Sequence, residues 1–293
     1  MPNGGVIGKS NATSLLSASG VWGGDEQYLA QLDSKWPIFV PQVVLNADVW
    51  LDAADTSTIT ESGGAVSQWN NKGSLGNFTQ ATAAQQPTTG VSTLNGLNVI
   101  DFAADRMNSA DTAATYKFLH DGTDYIVASV LKAGVVANPN TVYLLFGTNG
   151  GTGGTIGVQA FYDDRSSISR NDRFYHSVQG ASGTLVINNA SSDGFLPANI
   201  FNVITIFSDP NNGTAANRSA MYKDAGSAVK NNTSTGSVSS SDPSYVLQLG
   251  DSGLSNAPWT GSIAELIIVS GADATEANRE IIRDYLNLKW AVY

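Results

Sequence analysis

The chain is 293 residues long with a net charge of -10, and only 14% of its residues are charged, against about 25% in average soluble domains. Acidity without any basic run excludes a nucleic-acid partner, because neutralising phosphates takes clustered Lys and Arg, and the lack of cysteine excludes disulfides and thiolate metal sites. Gly, Ser, Thr and Asn supply the polarity, a mixture suited to a β protein with many turns, and no stretch reaches the eighteen or so apolar residues of a membrane span.

Residues 1–42 read differently from the rest. Gly and Ser predominate, interrupted by isolated anchors at Ile7, Val21, Trp22, Tyr28, Trp36 and Phe39, with Pro37 and Pro41 holding the chain extended. A short helix over 25–32 is expected, with Asp25 and Glu26 at its positive end. Such an arm cannot build a core of its own, so either it packs back on its own sandwich or, the preferred reading, its Trp and Ile anchors dock into a partner. Residues 1–20 have neither a basic n-region nor a continuous apolar stretch, so no secretory leader is expected.

From Val43 short apolar runs alternate with turn signals. Strands are predicted over 49–52, 65–69, 96–102, 125–131, 141–146, 156–162, 202–207, 219–222, 245–250 and 261–269. Residues 227–242, rich in Ser, Thr and Asn, are expected to form a long loop or irregular hairpin. Thr275 is the expected N-cap of one C-terminal helix, in which Ala277, Ile281, Ile282, Tyr285, Leu286 and Leu288 recur at helical spacing. Trp290 and Tyr293 are expected to seal it against the sheet. The fold class predicted is all-β: an arm over 1–42, then a jelly-roll sandwich of two antiparallel sheets over 43–293 with one C-terminal helix.

Five blocks carry a resemblance. They are Val49-Trp50-Leu51-Asp52-Ala53-Ala54-Asp55, Val66-Ser67-Gln68-Trp69-Asn70-Asn71-Lys72-Gly73, Leu97-Asn98-Val99-Ile100-Asp101-Phe102, Trp259-Thr260-Gly261-Ser262-Ile263-Ala264-Glu265-Leu266 and Tyr285-Leu286-Asn287-Leu288-Lys289-Trp290. With Gln86-Pro87 they resemble, in order, the concanavalin A-like lectin/glucanase superfamily in its laminin-G-like form. In the arm, Gly5-Val6-Ile7-Gly8, Ala18-Ser19-Gly20-Val21-Trp22, Glu26-Gln27-Tyr28 and Lys35-Trp36-Pro37 resemble the opening of tailed-bacteriophage structural proteins. The resemblance implies a virion protein assembled in the host cytoplasm, as capsid decoration or tail fibre. It would be fastened to other virion proteins through Ile7, Val21, Trp22, Tyr28, Trp36 and Pro37, and a homo-oligomer, by analogy a trimer, is expected.

Hydrolases of the superfamily use a Glu-x-Asp-x-x-Glu strand, and none of the five glutamates here (Glu26, Glu61, Glu265, Glu276, Glu280) falls in that pattern. No catalytic residue is therefore expected, with Glu276 and Glu280 on the exposed side of the last helix. His120 and His176 are read as loop or surface residues without a triad pattern. A host glycan needs an aromatic face flanked by amides and carboxylates, for which Tyr162, Asp163, Asp164, Arg165, Tyr175 and His176 are the first candidates. Trp69, Asn70 and Asn71 are the second, although Trp50, Trp69, Trp259 and Trp290 are equally read as core. No cofactor is required by any motif. Asp163 and Asp164 are read either as turn formers or, since laminin-G-like domains bind calcium through loop oxygens, as a calcium site.

Overall fold

The computed structural model describes residues 40–134, 142–150, 155–251 and 258–293. The chain divides into two units, Met1–Pro41 and Gln42–Tyr293. The expected helix over 25–32 and the arm anchors lie outside the described residues.

The second unit is almost entirely β. Its strands are β1 (Val49–Asp52), β2 (Ile59–Ser62), β3 (Ala65–Trp69), β4 (Phe78–Thr79), β5 (Thr88–Leu94), β6 (Leu97–Ala103), β7 (Met107–Ser109), β8 (Tyr125–Ala133), β9 (Val142–Gly147), β10 (Gly157–Asp163), β11 (Arg173–Gln179), β12 (Leu185–Ala190), β13 (Phe201–Ser208), β14 (Ser219–Lys223), β15 (Gln248–Leu249) and β16 (Thr260–Ser270). A single turn of helix, α1 (Gln42–Leu45), precedes them and α2 (Glu276–Trp290) follows.

These strands form one continuous hydrogen-bonded path in the order β12-β11-β10-β9-β15-β7-β4-β3-β5-β6-β16-β8-β13-β14, with β2 alongside β3 and β1 alongside β16. β16 is the spine. It pairs with β8 along its length, with β6 through residues 260–263 and with β1 through residues 265–268. Both faces of β8 and β16 are covered, which is why each reads as a near-continuous apolar run. The two ends of the path meet: Asn189 on β12 donates to the carbonyl of Ser219 on β14 at 3.1 Å. Inside lies a core whose largest members include Trp69, Phe78, Tyr116 and Trp259.

Several expectations change. Only Gln248–Leu249 of the predicted 245–250 strand is strand. Tyr245 N instead bonds the carbonyl of Thr148 at 2.9 Å, and Gly250, at φ +75°, bonds that of Leu145 at 2.7 Å. Strands β2, β4, β5, β7, β11 and β12 were not anticipated. The 227–242 stretch is an irregular strap, tied by Gly236 N to Leu185 O at 2.9 Å and by Asn232 to Asn188 N at 2.8 Å and Ala215 O at 2.7 Å.

Thr275 does cap α2, its hydroxyl accepting from Asn278 N at 3.2 Å. The inward stripe, however, is Arg279, Ile282, Tyr285, Leu286 and Trp290, whereas Ile281 and Leu288 are 45% and 68% exposed and Tyr293 is 50% exposed. Ala277 is exposed as well. The helix docks on a polar seat, so its charged stems turn inward. His120 and His176 are interior rather than surface residues. Among the described residues no helix is long and apolar enough to cross a membrane.

Candidate functional site

β10 and β11 run antiparallel with Phe161 opposite Tyr175, Tyr162 opposite Phe174 and Asp163 opposite Arg173. Successive strand residues point to opposite faces, so the predicted glycan cluster is split across the sheet. Tyr162 and His176 face the core. Tyr162 packs edge-on against Trp259 with ring centroids 6.5 Å apart and donates its hydroxyl to Asp172. His176 lies between the Tyr125 hydroxyl (2.7 Å) and the Ser219 hydroxyl (2.8 Å), and burial pushes its pKa down to about 3.

Asp163 and Tyr175 lie on the opposite face, with residues the sequence reading did not single out. The rings of Phe161 and Tyr175 stack in parallel, centroids 4.7 Å apart and planes 6° apart. Phe161 keeps partial exposure, whereas Tyr175 is 6% exposed. The Arg170 guanidinium stands 5.3 Å above the Tyr175 ring. Asp163 is fully buried, taking Arg165 Nε and Nη2 at 2.8 Å each and Arg170 Nη1 at 2.5 Å. Burial pushes its carboxyl up, but the two guanidinium partners prevail and hold it below its usual value. Arg173 pairs with Asp193 at 2.5 Å. Asp164 is half-buried, and desolvation raises its pKa.

The missed signal was compositional: three of the chain's seven arginines fall at 165, 170 and 173. The arrangement offers an aromatic platform walled by planar, multi-donor guanidinium groups. It does not suit calcium at Asp163, where both oxygens already accept N–H donors and two cations occupy the space a third would need. Among the described residues no group of three or more His, Asp or Glu could hold a metal ion.

The second candidate is scaffolding. Trp69 is fully buried, and Asn70 accepts from Gln68 at 2.6 Å. Asn71 clasps its loop, accepting from Trp50 N (2.7 Å) and Gly73 N (3.0 Å) and donating to Asp48 O (2.9 Å) and Leu75 O (2.8 Å).

Glu265 is the seat of α2. Its carboxylate takes Trp50 Nε1 at 2.7 Å, Tyr285 Oη at 2.9 Å, Lys289 Nζ at 2.7 Å and Trp290 Nε1 at 2.7 Å. Lys289 also meets Asp52 at 2.6 Å, and Asp52 meets Lys72 at 3.2 Å. Burial alone would lower the Lys289 pKa; Glu265 and Asp52 outweigh it and hold the ammonium above its usual value. Glu276 accepts from Tyr222 and Arg279, and Glu280 from Arg279. Glu61 accepts from Gly64 N at 2.6 Å at the rim of a cleft of about 430 Å³ with Thr56, Ile59, Thr89 and Asn98. Glu26 lies outside the described residues.

No family model matches the chain, and no curated protein does. Solved structures do. The botulinum neurotoxin serotype D binding domain aligns over 83% of this chain with a TM-score of 0.47 and 11% identity, and the chain spans 51% of that one. A Trypanosoma rangeli sialidase aligns over 94% of this chain and 36% of its own, with a TM-score of 0.45 and 12% identity. The CBM40 of a Ruminococcus gnavus IT-sialidase, bound to alpha2,3 sialyllactose, aligns over 58% of this chain and 85% of its own, with a TM-score of 0.37 and 13% identity.

Proposed function

We propose that this chain is a non-catalytic carbohydrate-binding protein, built on a concanavalin A-like jelly roll, whose contact surface is the outer face of β10 and β11. The observation that carries the reading is the stacked Phe161–Tyr175 pair facing away from the core, bordered by Arg170, Arg165 and Asp163. A sugar ring is recognised by an aromatic face for its C–H surface and by charged hydrogen-bonding groups for its hydroxyls. Three of the five glutamates support the non-catalytic reading. Glu265 is saturated by structural donors, and Glu276 and Glu280 are tied to Arg279.

A glycan array followed by titration calorimetry tests this. Tyr175→Ala is expected to weaken binding about tenfold, the value of roughly 1.5 kcal/mol of ring contact. Unaltered affinity in both Tyr175→Ala and Phe161→Ala would place any glycan elsewhere.

A second reading, display of this module on a virion through residues 1–42, rests on the resemblance of that segment to tailed-bacteriophage structural proteins, and the division of the chain at Pro41 is compatible with a separate arm. Deleting residues 1–42 is then expected to abolish incorporation into particles while the purified remainder still gives the β circular-dichroism spectrum of the whole chain. Incorporation of the truncated chain would overturn it.

A further inference from the structure

We propose that Arg170 is a displaceable plug that makes the β10–β11 face selective for sugars bearing a carboxylate, an inference that rests on the glycan-binding reading of that face. Phe161 stacks on Tyr175, and the Arg170 guanidinium stands over the same Tyr175 ring, 5.3 Å from its centre. That is the place a pyranose ring needs. The plug is held by one bond, Arg170 Nη1 to Asp163 Oδ2, while Asp163 keeps two further bonds from Arg165. Arg170 can therefore leave without stranding a buried carboxylate. Its side chain is 30% exposed, so solvent already reaches it.

The backbone is wound to deliver this side chain. Arg170 lies between Ser169 and Asp172, non-glycine residues in the left-handed region at φ +56° and +53°. Such outliers carry a cost and recur at ligand clamps. Arg170 N also returns to the carbonyl of Arg165 at 3.1 Å, closing the loop that carries it.

Displacement sets the selectivity. A neutral ring that pushes the guanidinium aside breaks a charge-assisted bond and offers hydroxyls in return. A ring with a carboxylate gives the guanidinium a new fork-shaped partner, restoring what was lost. The chain's net charge of -10 repels long polyanions, so the preference belongs to short acidic oligosaccharides, whose contact is local within a Debye length of about 8 Å.

Calorimetry of the full chain with trigalacturonate and with neutral galactotriose decides the matter. Wild type is expected to bind the acidic trisaccharide at least tenfold more tightly. Arg170→Ala is expected to lose that gap, weakening acid binding tenfold and strengthening neutral binding as the Tyr175 face opens. Arg170→Lys, which keeps the charge and loses the planar fork, is expected to fall between. Equal affinity of wild type for both sugars, or a gap that survives Arg170→Ala, overturns the plug and leaves the glycan site standing. If neither wild type nor Arg170→Ala binds either sugar, and an array finds no other glycan, the glycan reading falls and the plug with it.

Discussion

Glu265 shows how a single residue can look functional and be structural. A carboxylate with two aromatic N–H donors, a phenol and an ammonium on its two oxygens resembles a catalytic acid in a tuned pocket, yet every donor belongs to the elements it joins. Removing the ammonium tests this. Lys289→Met leaves buried Glu265 with neutral donors alone and Asp52 with Lys72 as its one cation, and the expected loss is about 3 kcal/mol. A urea titration measures it, and a loss below 1 kcal/mol would show the cluster to be dispensable. Sequence alone marks Glu265 only as one acid in an apolar run from Ile263 to Val269. Its partner Trp50 is 215 residues away. No local pattern encodes such a separation.

Among the elements, legibility followed a continuous apolar run and not burial alone, since β11 and β12 are largely buried behind mixed sequences and were not anticipated. β8, β13 and β16 are covered on both sides and announce themselves as apolar runs. β5 carries no fully buried residue, and β4 is two residues long, too short for any period. β11 alternated visibly at Phe174, His176 and Val178. Grouping Tyr162, Asp163, Tyr175 and His176 by proximity in sequence ignored that alternation and mixed an interior pair with an outer one. The helix was legible in its cap and length. Its orientation was not, because Arg279 and Lys289 turn inward to charged and hydroxyl partners while Leu288 faces out.

For the whole molecule, the junction where the sheet's two ends meet is polar and fully buried. His176, Asn189, Ser219 and Tyr125 form it, and both nitrogens of His176 have partners. Folded His176 titrates near pH 3, whereas the unfolded chain takes that proton near 6.5. Between those values the unfolded state binds more protons, so stability rises with pH and is lost as pH falls below about 6.5. His120 is shifted down by burial too, with the same sign. Moving from pH 7 to pH 5 is expected to cost about 2 kcal/mol through His176, at about 1.4 kcal/mol per unit. His176→Gln keeps a donor and an acceptor without the titrating ring. Its urea midpoint is expected to change less between the two pH values than that of wild type, and an unchanged pH dependence would exclude His176 as the source.

The placement of β16 has a kinetic consequence. Three strands need it as their neighbour, and those strands begin at residues 49, 97 and 125 while β16 begins at 260. Early portions of the chain must wait, with apolar edges unpaired, until a segment that begins 135 positions after β8, 163 after β6 and 211 after β1 reaches them. Contacts of that separation make folding slow, on the scale of seconds rather than microseconds, and expose intermediates to self-association. Refolding at high concentration should therefore lose yield to aggregates even though the finished sheet joins its own two ends.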